Sequence, residues 1–333
     1  MREPHLILGL GELLWDVLRE GPRLGGAPAN FSVMAGRLGN HAVILSRTGR
    51  DDLGRRALVE LEQLEGVPAD ASFLQIDPEH ETGRVTVAFE GGQPSYTIHD
   101  PVAWDFLELS DEWIQLAEQA DAICFGSLAQ RHDRSRETIQ ALAGLTKEKC
   151  VRVFDVNLRA PFFSGEVLEE SLDLATVMKM NDAEVPMVME LLGLNSLVPE
   201  CEGPFDKLSA GSGAPALQTD ALRAGALCLL KEFPTLGMVA VTCGGDGSLL
   251  VTRENWDRHP GIATKVADTI GAGDAFTAAM THYLLKGSSP AGLNLSRLNE
   301  AGNRWGSWVA SQAGAMPVLP ATVREQIGGA IEG

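Results

Sequence analysis

Four short apolar runs, at residues 122–125, 151–156, 176–180 and 238–242, recur along the second half of the chain with helical or loop segments between them. They read as buried strands, and buried strands alternating with helices form a parallel sheet with helices on both faces. The beginning of the chain follows the same pattern: strands are expected over 5–10 and 42–46, with a helix over 28–38 between them.

Other segments depart from that alternation. Residues 83–98 alternate in polarity around Gly91-Gly92, the signature of an antiparallel hairpin, and are expected to form a small lid or edge sheet. Residues 21–30 read as a loop, in which Gly25 and Gly26 permit close backbone approach and Pro28 suits a first helical turn. A helix is expected over 55–65. The Gly-, Ser- and Pro-rich stretch 195–219 lacks periodicity and reads as an exposed insertion in a single domain spanning 1–333. Helices over 272–285 and 296–313 close the chain, and no internal repeat is present.

The stretch Asp268-Thr269-Ile270-Gly271-Ala272-Gly273-Asp274-Ala275-Phe276 carries the clearest chemistry. Gly271, Ala272 and Gly273 let consecutive backbone N–H groups turn towards one point at the start of a helix, where anions bind. A carboxylate repels a phosphate, so Asp274 at the same spot calls for another role, such as taking a proton from an attacking hydroxyl. The motif suggests phosphoryl transfer to an alcohol, with a strand, a glycine turn and a helix capped by an acidic residue as the open alternative.

Further constellations stand at the ends of the predicted strands. Asn181 and Glu184 are spaced to share one helical face and suit either magnesium and its waters or a helix cap. Thr242-Cys243-Gly244-Gly245-Asp246-Gly247 is either a close seat for a nucleotide or a hairpin turn. Asp16, in a mostly apolar segment, needs partners, for which sugar hydroxyls or an internal arginine would serve. Arg159, in Asp155-Val156-Asn157-Leu158-Arg159, can bind a phosphate or pair with Asp155. Gly9-Leu10-Gly11 lacks the third glycine of a dinucleotide fingerprint, and neither a Walker loop nor a His-Glu-x-x-His motif occurs.

A formal net charge of −18 argues against nucleic acid or an anionic membrane as a partner, so a phosphate ligand must be held by local donors and metal ions. The five cysteines are widely spaced and suggest neither a disulfide framework nor a zinc site. The apolar run at 6–11 is broken by Glu12, too short for a signal peptide or a membrane span, so a cytoplasmic location is expected.

Together these residues resemble the ribokinase-like (pfkB) carbohydrate kinases, and within them the fructokinase-like branch, from about Leu8 to Gly314. One signature is Gly25-Gly26-Ala27-Pro28-Ala29-Asn30 with Ala35-Gly36-Arg37-Leu38-Gly39, and the other is the stretch from Asp268 to Phe276. The segments Gly9 to Asp16 and Ser46 to Gly54, the Thr82-Gly83 hairpin ending in Ala103-Trp104-Asp105, and Gly126-Ser127-Leu128-Ala129-Gln130-Arg131 are similar to fructokinase-type sequences. The resemblance implies an α/β, three-layer sandwich with a central, mostly parallel sheet and a small β-sheet lid, formed mainly by about 12–20 and 82–104.

It also implies Asp274 as catalytic base and the amides of Gly271, Ala272 and Gly273 as anion hole. Asp16, Gly25, Gly26 and Asn30 would line the sugar site, with Arg159 beside it. Asn181 and Glu184 would organise Mg2+, and Thr242, Gly244, Gly247 and Asn303 would meet ATP. The turn at Gly314-Ala315 would supply carbonyls to K+. The expected reaction is ATP-dependent phosphorylation of a ketose, fructose to fructose 6-phosphate. Nucleosides or ribosides, ribose and 2-keto-3-deoxygluconate are the alternative acceptors, and a non-catalytic sugar-binding homologue is the alternative from another class. The hairpin edge at 83–98 suggests a homodimer through the lids.

Overall fold

In the computed structural model, residues 4–18, 21–64, 69–90, 93–195, 215–287 and 294–332 are described. The chain opens with β1 (Leu6–Leu10), β2 (Leu14–Leu18) and β3 (Gly21–Gly25), followed by a helix at Ala27–Arg37. β4 (His41–Leu45), β5 (Arg47–Gly49), a helix at Asp52–Gln63 and β6 (Gln75–Asp77) come next, then the hairpin of β7 (Gly83–Glu90) and β8 (Gln93–Ile98). β9 (Ala122–Gly126), β10 (Val151–Asp155), β11 (Val177–Asn181) and β12 (Met238–Thr242) alternate with helices, and β13 (Ser248–Val251) and β14 (Trp256–His259) follow. The last helices are Ala272–Lys286, Leu295–Ala310 and Ala321–Glu332.

The large sheet has the order β14-β13-β12-β11-β10-β9-β1-β4. The six strands from β12 to β4 run parallel, and β13 and β14 join antiparallel at one edge. Successive side chains point to opposite faces, so each apolar strand feeds two cores at once. Leu8, Phe154, Met178 and Val239 pack into one core, and Ile7, Val153, Val177 and Met238 into the other. The second core is closed by the helices Ala27–Arg37, Ala272–Lys286 and Leu295–Ala310 through Phe31, Phe276 and Trp305. Gly9 is required there, because a Cβ would stand 2.3 Å from the Pro28 carbonyl oxygen.

The smaller sheet has the order β3-β2-β7-β8 and is the small separate sheet expected beside the central one. Residues 21–25, expected as a loop, are instead its edge strand, pairing antiparallel with β2 from Leu14↔Gly25 to Leu18↔Gly21. Glycine and proline weaken a strand in isolation, and here only the partner β2 supplies the ladder. On the other side β2 runs parallel to β7, so the hairpin is tied to the start of the chain. The hairpin turn at 91–92 lies outside the described residues, as does most of the stretch expected as an insertion. Pro215 nevertheless opens the helix Pro215–Glu232, so residues 215–219 are helical rather than irregular. Proline is accepted at a first helical position because its missing N–H has no partner to lose there.

Among the described residues no helix is long and apolar enough to cross a membrane. Cys124, Cys150, Cys228 and Cys243 are buried and unbridged, and Cys201 lies outside the described residues.

Candidate active site

The helix Ala272–Lys286 is apolar over Ala275, Phe276, Ala278, Ala279 and Met280, all buried, and this anchoring holds its first turn in place. Gly271 caps it in the left-handed region, with φ of 78°. A Cβ there would lie 2.7 Å from Ala315 Cα, so the turn containing Gly314 and Ala315 presses against the cradle. Asp268 ties the approach to this turn: one oxygen accepts from Ile270 N at 3.0 Å, the other from Gly314 N and Arg23 Nη1, each at 3.2 Å.

Asp274 sits in the first turn of that helix. Its Oδ2 accepts a hydrogen bond of 2.7 Å from Asn30 Nδ2, which the helix Ala27–Arg37 presents from the opposite side. Asn30 Oδ1 is buried and accepts no hydrogen bond. Burial and then the neighbouring Asp155 carboxylate raise the pKa of Asp274 to about 6, against the pull of Lys179, Asn30 and Arg159. Such a group is ionised near neutrality yet more basic than an ordinary aspartate, which suits accepting a proton from an alcohol.

Beneath the cradle lie Asp155 and Lys179. Lys179 Nζ and Asp155 Oδ1 are 3.0 Å apart, and Asp155 Oδ2 accepts from Thr277 Oγ1 at 3.1 Å. Asp155 therefore pairs with Lys179 and not with Arg159, the partner that spacing along the chain suggested. Arg159 is exposed, donates to the Leu158 carbonyl at 3.0 Å, and lowers the pKa of Asp16, Glu12 and Asp274 through space.

Two acidic residues flank the opening of the first helix. Asp16, on β2, is partly buried and lies beside Gly25, where a Cβ would stand 3.3 Å from its Oδ2. Burial raises its pKa, with Asp268 reinforcing and Arg159 opposing. Glu12 is 3% exposed; one oxygen accepts from Ala27 N at 3.3 Å and the other, Oε2, is buried without a partner. Burial lifts its carboxyl to about 7. The Glu12 carbonyl also touches the helix cap, since a Cβ on Gly26 would lie 2.3 Å from it.

At the end of β11, Glu184 accepts from Leu158 N and Asn181 N, each at 2.8 Å, while Asn181 Oδ1 accepts from Glu184 N at 2.9 Å. This is a reciprocal cap between two sequence-predicted residues. Thr242, at the end of the adjacent β12, donates to the Met180 carbonyl at 3.4 Å. The space around Gly244 and Gly245 is open, whereas a Cβ on Gly247 would lie 2.1 Å from the His259 carbonyl oxygen. Asn303 stands apart in a buried network, donating to Ser248 Oγ at 2.7 Å and to the Asn299 carbonyl at 2.8 Å.

The model of the pfkB family carbohydrate kinases matches residues 11–322. The chain belongs to that family. It is 31% identical to an uncharacterized sugar kinase of Pyrococcus horikoshii, PH1459, over 90% of this chain and 87% of that one. It is 28% identical to a fructokinase of Escherichia coli, over 93% and 95% of the two chains. The structure of the P. horikoshii kinase in complex with ATP superposes with a TM-score of 0.73 at 28% identity, over 96% of this chain and 99% of that one.

This pfkB kinase is therefore a phosphotransferase acting on a sugar hydroxyl. Its structure brings the Asp274 turn at Gly271, Ala272 and Gly273 against Asn30, and sets Asp16, Gly25 and Gly26 at the opening of the helix that carries Asn30. Residues not singled out from the sequence are Glu12, Lys179 and Thr277. Lys179 had a signal, a lone cation inside the apolar run Val177-Met178-Lys179-Met180, where an unpaired charge cannot be buried.

Proposed function

We propose that this pfkB kinase transfers the γ-phosphoryl group of ATP directly to a primary hydroxyl of a ketose, with fructose at its 6-position as the first acceptor. The observation that carries the reading is Asp274: a basic carboxylate in the first turn of a glycine-capped helix, held by Asn30. Asp16, Asn30 and Gly25 to Gly26 offer acceptors and close backbone approach to sugar hydroxyls, and the buried Asn30 Oδ1 is without a donor until one arrives. Asp274 takes the hydroxyl proton late in an in-line transfer, while the amides of Gly271 and Gly273, and that of Ala272 on leaving the Thr269 carbonyl to which it donates at 3.3 Å, would face the charge on the transferring group. Positioning of the two substrates by rigid elements carries most of the remaining barrier reduction.

The oxygens of Glu184 and Asn181 each already accept a backbone N–H, so these residues fit a divalent ion that keeps its waters better than one bound directly. Bound there with the nucleotide, Mg2+ would supply charge neutralisation. Thr242, Gly244 and Gly247 shape the neighbouring seat for ATP, and Asn303 supports it from beneath through Ser248. The contact of Gly271 with Ala315 supports the turn at Gly314 as a K+ site beside the cradle. The smaller sheet, closing over the sugar as a lid, would also offer the face for a homodimer, in a cytoplasmic enzyme.

A second acceptor, 2-keto-3-deoxygluconate, is favoured by Arg159, whose exposed guanidinium would meet a sugar carboxylate. An ADP-release assay with ATP and Mg2+, run with and without K+ against fructose, ribose, 2-keto-3-deoxygluconate and nucleosides, separates the acceptors. Fructose is expected to give the highest kcat/KM, and indifference to fructose rejects it. Asp274→Asn is expected to bind sugar normally in calorimetry while kcat falls by at least roughly two orders of magnitude. Near-normal turnover in that variant removes Asp274 as the base.

A further inference from the structure

Asp155 and Lys179 occupy paired positions on the neighbouring strands β10 and β11, and they are only 4% and 7% exposed. A buried ion pair is seldom more stabilising than apolar residues of the same volume, so its presence asks for a task beyond holding the core together. Two contacts connect the pair to the catalytic helix. Asp155 grips Thr277, whose hydroxyl also bonds the Gly273 carbonyl at 3.0 Å. Lys179 Nζ lies 3.1 Å from where a side chain of Gly273 would begin, which places the ammonium against the cradle and one residue from Asp274.

We propose that Asp155 and Lys179 form a positioning pair for Asp274, clamping the first turn of its helix and setting the charge of the base by two opposed fields. This rests on Asp274 being the base. The charged and polar groups facing Asp274 are Asp155 on β10, Lys179 on β11, Arg159 after β10, Glu12 after β1 and Asn30 on the first helix. Lys179, Arg159 and Asn30 favour the carboxylate and Asp155 disfavours it, while the Asp274 charge in turn raises Glu12. Removing Lys179 therefore makes Asp274 harder to ionise, and removing the charge of Asp155 makes it easier. Glycine at 273 is part of the same device, because a side chain there would push the ammonium away.

The test is the pH dependence of kcat/KM for the best sugar acceptor in the wild type, Lys179→Met, Lys179→Arg, Asp155→Asn and Asp274→Asn. The acid limb should move up by about one pH unit in Lys179→Met and down by about as much in Asp155→Asn. Lys179→Arg, which keeps the charge, should restore the wild-type position of the limb even if kcat stays low. Sugar affinity measured by calorimetry should change less than about threefold while kcat falls about tenfold or more, since the pair acts on the base and not on the sugar. Should either single variant fail to fold, the double variant Asp155→Asn, Lys179→Met removes both fields, and its limb should return towards the wild-type position. Limbs that stay in place, or that move in the same direction in both single variants, overturn the pair. A limb lost in Asp274→Asn yet unmoved in the others overturns the pair alone, whereas a limb that survives in Asp274→Asn overturns the base and the pair together.

Discussion

Burial raises the Glu12 carboxyl, and its consequence is a stability that depends on pH. The carboxyl is raised from an ordinary 4.5 to about 7, so the folded protein prefers it protonated. The group therefore leaves stability intact below about pH 4.5 and erodes it as the pH rises through 7, by at most about 3 kcal/mol. Glu12→Gln removes this erosion, and the melting temperature of the variant relative to the wild type should climb between pH 5 and pH 8. A difference that stays flat over that range argues against a buried, proton-binding Glu12. Asp274 and Asp16 were legible as individual residues because each carboxylate stands in a pattern that otherwise rejects it, and Asn30 only through the resemblance of its glycine-rich motif. Glu12 was not, since it reads as the break in an apolar run, and only its enclosure against Ala27 and Gly26 gives it chemistry.

Among the elements, the helix Ala272–Lys286 bears the site, and its position depends on glycines at both of its sides. Gly302 and Gly306 let the helix Leu295–Ala310 approach closely, where side chains would collide with the Phe276 ring and press on the Ala272 carbonyl. Gly271 supplies the left-handed cap, and Gly271→Ala adds both an unfavourable φ and a clash with the Ala315 backbone. A loss of about 2 kcal/mol or more in urea unfolding is expected, together with a fall in kcat larger than that of an exposed control such as Gly329→Ala. A Gly271→Ala protein with an unchanged midpoint would mean that the turn relaxes without strain. The six parallel strands of the large sheet and the helices Ala27–Arg37, Asp52–Gln63, Ala272–Lys286 and Leu295–Ala310 were legible because their apolar periodicity agrees with their propensity, whereas β14 and the helix Ala321–Glu332 were not among the expectations. β3 was not, because Gly21, Pro22 and Gly25 disfavour a strand and only pairing with β2 makes one.

For the molecule as a whole, the two sheets meet around the proposed sugar position. Asp16 belongs to the smaller sheet, while Asn30 and Asp274 are held against the larger one. A sugar bridging them should stabilise the folded protein by about 2.7 kcal/mol at a hundred times its Kd, seen as a rise in melting temperature on adding the acceptor. Asp16→Asn should weaken that protection while leaving the unliganded melting temperature near that of the wild type. Equal protection in both proteins would place the sugar away from β2. The sequence by itself determined the layered α/β plan, the glycine cradle with its aspartate, and the second glycine motif opposite, because local periodicity and turn chemistry carry that information. Tertiary structure alone decided that Asp155 pairs with Lys179, that Asn303 serves a buried network, that residues 21–25 become a strand, and that Asp274 is more basic than an ordinary aspartate. The strand at 21–25 depends on its neighbour β2 overriding the preference of its glycines and proline, and the others on groups distant along the chain meeting in a poorly solvated interior, where a charge takes its properties from its neighbours.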